Sequence, residues 1–202
     1  MTRRIAGATY EDVTFALQLT SLPPRVAAVQ LRARARARRL GDVFSLTSAT
    51  PPRKLAVLLK LARGRRYVVE LGTGTAWTTV ALVVADPQRQ VTSYDVVSRP
   101  EREQYLTLLS SQARDRIELI DEPGVTGPTS PRPVELLYVD SSHEREQTVA
   151  EVKAWAPVLE PGAMVVFDDY VHPDYPGVRQ AIEEMGLRGE ERRTMFVHEC
   201  PS

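Results

Sequence analysis

The apolar positions of the chain follow two rhythms, and the change falls near residue 64. Upstream the spacing is helical. Phe15, Leu19 and Leu22 share one helix face before Pro23-Pro24 interrupts it. A second helix is predicted over residues 25–40, closed by Gly41, and a third follows Thr50-Pro51-Pro52. The run from Leu55 to Leu61 faces a core, and Gly64 ends that helix. Downstream the pattern becomes strand, loop, helix, repeated. Short apolar runs predict strands over 67–71, 91–95, 117–120, 134–139 and 163–167, with a last one over 194–199. Helical segments over 78–85, 101–111, 144–159 and 178–185 lie between most of them, and 122–133, rich in Pro, Gly, Thr and Ser, reads as a surface loop. Strands separated by helices build βαβ units. The fold class is therefore α/β: a mostly parallel sheet with helices on both faces. Residues 1–64 are expected to form a helical segment packed on the same domain as the core, 65–202.

Composition narrows the picture. The chain has 202 residues, 43% of them hydrophobic, which is enough for one proper core. Lys plus Arg equals Asp plus Glu at 26 each, so no global field favours nucleic acid or a membrane surface. The local exception is Arg32, Arg34, Arg36, Arg38 and Arg39, interleaved with alanines. They read as a basic patch for an acidic partner, or as a solvated face whose stems cover apolar surface. The balanced total favours the second reading. The single cysteine, Cys200, excludes an internal disulfide and fits a reducing compartment. The opening Met1-Thr2-Arg3-Arg4 is not followed by the apolar run of a signal peptide, and no stretch approaches the roughly 18 apolar residues of a membrane span. A cytoplasmic protein acting on a small molecule is expected, with neither membrane nor nucleic acid as partner. Oligomeric state is open, a homodimer being one option.

Ligands of open parallel sheets bind beyond the C-terminal strand ends. The first strand ends in Glu70-Leu71-Gly72-Thr73-Gly74-Thr75-Ala76-Trp77-Thr78. Glycines let the backbone approach a ligand closely, and the following helix aims free N–H groups there. A phosphate-gripping loop needs Gly-Lys-Ser/Thr, which is missing. A dinucleotide loop needs a third glycine where Trp77 stands. Glu70 would repel a pyrophosphate but would suit a cationic cofactor such as the sulfonium of S-adenosylmethionine. Asp95, ending the second strand, can accept both hydroxyls of a ribose.

A second set lies at the next strand ends. The fourth strand runs into Asp140-Ser141-Ser142-His143, and the fifth into Asp168-Asp169-Tyr170. Asp168 and Asp169 can face one site only if the strand has already turned. Like charges about 4 Å apart repel by roughly 4 kcal/mol at an effective dielectric of about 20. The trio therefore calls for protonation or a cation, and oxygen donors point to Mg²⁺, with Mn²⁺ or Ca²⁺ as alternatives, rather than Zn²⁺. Taken singly, the aspartates read as caps of a loop and a helix. His143 is spaced to reach the same site and to accept a hydroxyl proton. His172 and the rings of Tyr170 and Trp77 could border a pocket, while His198 reads as structural.

These motifs resemble class I methyltransferases over about residues 45–199. The loop is similar to that of small O-methyltransferases, Glu–Leu/Ile–Gly–Thr–x–x–Gly–x–Ser. It departs at Ala76-Trp77, where a glycine often falls, and at Thr78, which replaces the serine. Asp140–x–x–His143 with Asp168-Asp169 resembles the macrolide-sugar type more than the catechol type, which has Asp–x–x–Lys and a later Asp-Asn. The resemblance implies a Rossmann-like methyltransferase fold with a seven-stranded sheet and an N-terminal helical cap. It implies S-adenosylmethionine held by Glu70, Gly72, Thr73, Gly74, Thr78 and Asp95, a divalent cation on Asp140, Asp168 and Asp169, and His143 as the catalytic base. The acceptor would be a small hydroxylated molecule, such as a vicinal diol. A metal-independent methyltransferase and a non-catalytic cofactor-binding protein are the alternatives.

Overall fold

A computed structural model of the chain describes residues 10–202. Four helices come first: α1 (Tyr10–Gln18), α2 (Pro24–Leu40), α3 (Val43–Ser48) and α4 (Pro52–Leu61). Prolines occupy the first turns of α2 and α4, where a missing N–H costs nothing. Gly41, at φ +67°, closes α2. The short α3 follows immediately, capped by the Asp42 carboxylate on the Ser45 N–H. Its six residues fall below the length at which periodicity can be read.

The alternating half gives β1 (Tyr67–Leu71), α5 (Trp77–Ala85), β2 (Gln90–Tyr94), α6 (Glu101–Leu106), α7 (Ser111–Arg114), β3 (Ile117–Ile120) and β4 (Val134–Val139). Then come α8 (Arg145–Trp155), β5 (Leu159–Phe167), α9 (Pro176–Glu184), β6 (Glu190–Arg192) and β7 (Met195–Glu199). The seven strands order as β3-β2-β1-β4-β5-β7-β6. The first five are parallel, while β7 runs antiparallel to β5 and β6 antiparallel to β7. This is the Rossmann-like methyltransferase sheet.

Several elements differ from the sequence expectation. The helix expected over 101–111 is two, because Ser110 turns extended and its Oγ caps α7 at the Ala113 N–H. The helix expected to reach 159 stops at Trp155, since Leu159 already pairs with Val134 in the sheet. β6 is three charged residues on the sheet edge, without the apolar alternation that marks a strand.

The central parallel strands β1, β4 and the end of β5 are buried on both faces, covered by helices. Val68, Leu136, Tyr138 and Val166 pack with Leu55, Leu58, Ala81 and Leu82 on the α4–α5 side. Val69, Leu71, Leu137, Val139, Val165 and Phe167 pack with Val152, Trp155, Val178 and Ile182 on the α8–α9 side. Leu19, Leu22 and Val26 join the first cluster, so the N-terminal helices share the core of the sheet. In α2, Arg34 and Arg38 bond to Asp12, and Arg36 bonds to Gln104 O and Thr107 Oγ1. Three of the five clustered arginines thus serve the chain itself. Among the described residues no helix is long and apolar enough to cross a membrane.

Candidate functional site

Strand order reverses between β1 and β4, and a cavity of about 990 Å³ opens above that point. Its wall includes the glycine loop, Asp95, the β4 and β5 ends and the 44–54 segment. Gly72 sits at φ +102°, where a Cβ would meet the Asp140 carbonyl oxygen at 1.9 Å. Only glycine lets the β1 and β4 ends lie this close. Gly74 also adopts positive φ, +52°, and Ala76 follows at +68°. The loop thus takes its left-handed turn at the alanine, just where the resemblance puts a glycine. Trp77, the first residue of α5, fills the space beside it. Its ring packs edge-on against Tyr105 at 5.3 Å and against Ala33 and Ala37.

Asp95 lines the cavity and is held in place. Its carboxylate accepts from Gly74 N (2.8 Å), Val97 N (2.8 Å) and Arg102 Nη2 (2.9 Å). Arg102, buried, also donates to Gly74 O at 2.8 Å and to Asp121 Oδ1 at 2.8 Å. One guanidinium therefore ties the glycine loop to the ends of β2 and β3. Thr73 and Thr78 line the cavity as well, Thr78 Oγ1 lying 3.0 Å from Thr50 Oγ1.

Glu70 departs from the expectation. Its carboxyl does not reach the cavity but lies beneath the loop, fully buried. There it accepts from Ser93 Oγ (2.6 Å) and from Thr79 Oγ1. Burial pushes its pKa up to about 8, against the lowering effect of the two hydroxyls. A neutral Glu70 pins α5 and β2 under the loop, so beside the glycine loop the acidic group that faces the cavity is Asp95.

Asp140, Asp168, Asp169 and His143 do converge on the cavity. Asp140 N bonds to Leu71 O and Asp168 N to Val139 O, each at 2.8 Å, continuing the ladders past the strand ends. Parity puts both side chains on the α4–α5 face with Tyr138 and Val166. Asp169 turns into the left-handed region, φ +52°, which supplies the turn that both aspartates need. His143, at φ +62°, places Nε2 3.3 Å from Asp140 Oδ1 and 3.5 Å from Asp169 Oδ2, neither aligned as a hydrogen bond. Its ring stacks on Tyr175 at 4.6 Å, and Tyr175 stacks in turn on His172 at 4.6 Å. Burial opposes charging of His143, but Asp140, Asp169 and Asp168 outweigh it and raise its pKa. Burial and the neighbouring Asp168 likewise raise Asp140.

Lys54 is the residue that sequence reasoning missed. Its Nζ lies 2.6 Å from Asp168 Oδ1 and 3.2 Å from Asp169 Oδ1. Burial works against its charge, yet the three aspartates more than compensate, so it stays an ammonium. The signal was available: Lys54, Leu58 and Leu61 are spaced i, i+4, i+7 on the buried face of α4. A lysine on that stripe must reach a buried carboxylate. Tyr138 was missed too. Its hydroxyl donates to Asp168 Oδ2 at 2.7 Å and lies 3.2 Å from Asp140 Oδ2. Of the rings expected at the border, Trp77 lines the cavity, whereas Tyr170 packs on Phe196 at 4.9 Å. His172 lines the cavity, and His198 Nδ1 lies 2.7 Å from Arg188 O at the sheet edge.

Solved structures share this architecture. An O-methyltransferase from Streptomyces achromogenes involved in tomaymycin synthesis, solved with S-adenosylmethionine, superposes with a TM-score of 0.61 at 20% identity, covering 86% of this chain and 90% of that one. The cofactor-bound protein Rv0187 from MTB gives 0.65 at 20% identity over 95% and 98%. A Bacillus cereus O-methyltransferase in complex with S-adenosylhomocysteine gives 0.63 at 13% identity over 88% and 91%. At these identities the likeness is one of fold. No curated protein sequence matches the chain. A family model described as a methyltransferase domain matches residues 69–170, half of the chain, from the middle of β1 past the carboxylate pair. The chain belongs to this methyltransferase-domain family.

Proposed function

We propose that the protein is an S-adenosylmethionine-dependent O-methyltransferase acting on a small hydroxylated acceptor. The observation that carries the reading is the continuity of one cavity from the Gly72–Gly74 loop and Asp95 to His143 and the aspartates. A cofactor bound at the loop would present its reactive end to an oxygen held at the aspartates. The neighbours solved with this cofactor or its demethylated product lend the reading further support.

The chain's groups divide into two tasks. Gly72 and Gly74 bring backbone close to the cofactor without side chains in the way, and the N-terminus of α5 faces its carboxylate end. Thr73 and Thr78 supply hydroxyls. Asp95 has a carboxylate lone pair to spare for the ribose, since an ionised carboxylate takes about four donors and three are present. The cofactor supplies an activated methyl group on a cationic sulfur. His143 takes the acceptor proton, and Asp140 orients its imidazole and favours the imidazolium that forms. The remaining barrier is mostly positioning.

The donor set does not fit the divalent cation expected from the sequence. Asp168 already accepts from Lys54 Nζ and Asp169 N at Oδ1 and from Tyr138 at Oδ2. The Lys54 ammonium, 2.6 Å from Asp168 and 3.2 Å from Asp169, already cancels part of the negative charge that would attract a dication and would repel one placed beside it. Among the described residues, no group of three or more His, Cys, Asp or Glu is arranged to hold a metal.

Calorimetry with S-adenosylhomocysteine and with NAD tests the reading. S-adenosylhomocysteine should bind one to one, and Asp95→Ala should weaken it at least tenfold, about 1.4 kcal/mol. Tighter binding of NAD, or binding of neither, would refute it.

A further inference from the structure

We propose that the Lys54 ammonium is the resident cation of this site, standing where a divalent metal was expected, and that it binds the acceptor oxygen during transfer without a metal ion. The inference rests on the O-methyl transfer reading. It starts from geometry that the loop and the family leave unused. Lys54 issues from the buried stripe of α4, its side chain only 12% exposed, and its amine is fixed by two aspartates at 2.6 and 3.2 Å. An ammonium carries three donors. Two are spent on Asp168 and Asp169, and the third is left for the cavity that Lys54 lines with Asp140 and His143.

The arrangement keeps the ammonium where it is. Asp168 is held from both sides, by the Tyr138 hydroxyl on one oxygen and by the Asp169 N–H on the other. Tyr138 lies wholly inside the sheet core, so Asp168 cannot swing away to release the lysine. The step then balances simply. The acceptor O–H bond breaks and its proton passes to the His143 imidazole. The oxygen–carbon bond forms as the carbon–sulfur bond breaks, and that electron pair stays on sulfur. Lys54 transfers no proton. It donates a hydrogen bond to the oxygen as negative charge gathers there, the role of an oxyanion donor.

The test uses Mn²⁺ as probe on the full chain. Wild-type protein, with and without S-adenosylhomocysteine, is titrated with Mn²⁺ and free Mn²⁺ is read by electron paramagnetic resonance. The expected result is no stoichiometric binding, and unchanged affinity for S-adenosylhomocysteine after EDTA treatment. Sequestration of one Mn²⁺ per chain, lost in Asp168→Asn, would overturn the proposal. With catechol as a vicinal-diol probe, Lys54→Met should lower turnover by roughly 100-fold while S-adenosylhomocysteine affinity stays within about twofold. Lys54→Arg, which keeps a donor, should recover part of it. Turnover in Lys54→Met equal to wild type would also overturn the proposal. Failure to bind S-adenosylhomocysteine at all would instead refute the underlying function, so the two failures are distinguishable.

Discussion

Replacing Glu70 by Gln should make the protein more stable above neutral pH and flatten its pH dependence. Glu70 is a carboxyl under the glycine loop, fully buried and bonded only by Thr79 and Ser93 hydroxyls, with its pKa raised from 4.5 to about 8. The unfolded chain gives up this proton at its ordinary pKa, whereas the folded protein keeps it. Glu70 therefore lends its full stability below about pH 4.5, and that contribution is lost as pH rises through about 8. Each pH unit in the window is worth about 1.4 kcal/mol, so the whole gap is on the order of 5 kcal/mol. Gln has the same shape, carries no charge and can still accept from both hydroxyls. At low pH the variant should match wild type to within about 1 kcal/mol, the worth of one neutral hydrogen bond. Urea unfolding of both proteins from about pH 5 to pH 8 measures the difference directly. It should grow in favour of Glu70→Gln by about 3 kcal/mol across that range. Asp140, itself raised, is present in both proteins, and its charge is one of the smaller causes that raise Glu70. A difference that stays constant with pH would mean that Glu70 is ionised in the fold and the reasoning fails.

Three further substitutions probe how the site is held. Gly72→Ala puts a Cβ 1.9 Å from the Asp140 carbonyl oxygen at a φ of +102°, so the β1 and β4 ends must part; thermal unfolding should show a loss of at least about 3 kcal/mol, with S-adenosylhomocysteine binding abolished. Gly177→Ala brings a Cβ to 2.5 Å from His143 O and 2.7 Å from Arg145 N, pushing α9 off the His143 segment; a cost of about 2 kcal/mol and lower turnover with unchanged cofactor affinity are expected. Arg102→Met releases Asp95 and Gly74 O together; calorimetry should show cofactor affinity falling by about tenfold, at a stability cost of about 3 kcal/mol, because buried partners lose their cation.

Much of the fold was legible because it is written locally. Parallel strands covered on both faces must be largely apolar, so β1 and β4 fall where their runs of Val and Leu fall. β6 was not legible, since three charged residues, two of them exposed, become a strand only by pairing with β7. The glycine loop was legible because a backbone in the left-handed region selects its residues by steric rule. That rule also has a local exception in Ala76, which adopts φ +68° without being glycine.

The site divides along the same line. Sequence by itself determined that a glycine loop follows β1, that Asp95 ends the second strand region, and that three aspartates and a histidine follow the ends of β4 and β5. Each of these depends on strand ends: the alternation of elements gives parallel strands, and the resemblance gave β4 and β5 as neighbours. Only the tertiary structure decided which way the carboxyl groups face and what neutralises them. Glu70, one residue before the end of β1, points into the packing between α5 and β2 rather than into the cavity. Lys54, 114 residues before Asp168, reaches it because α4 lies on the face of the sheet where Asp140 and Asp168 emerge. A charge balance between residues so far apart is a property of packing, and a reading that follows the chain sees only the unbalanced half.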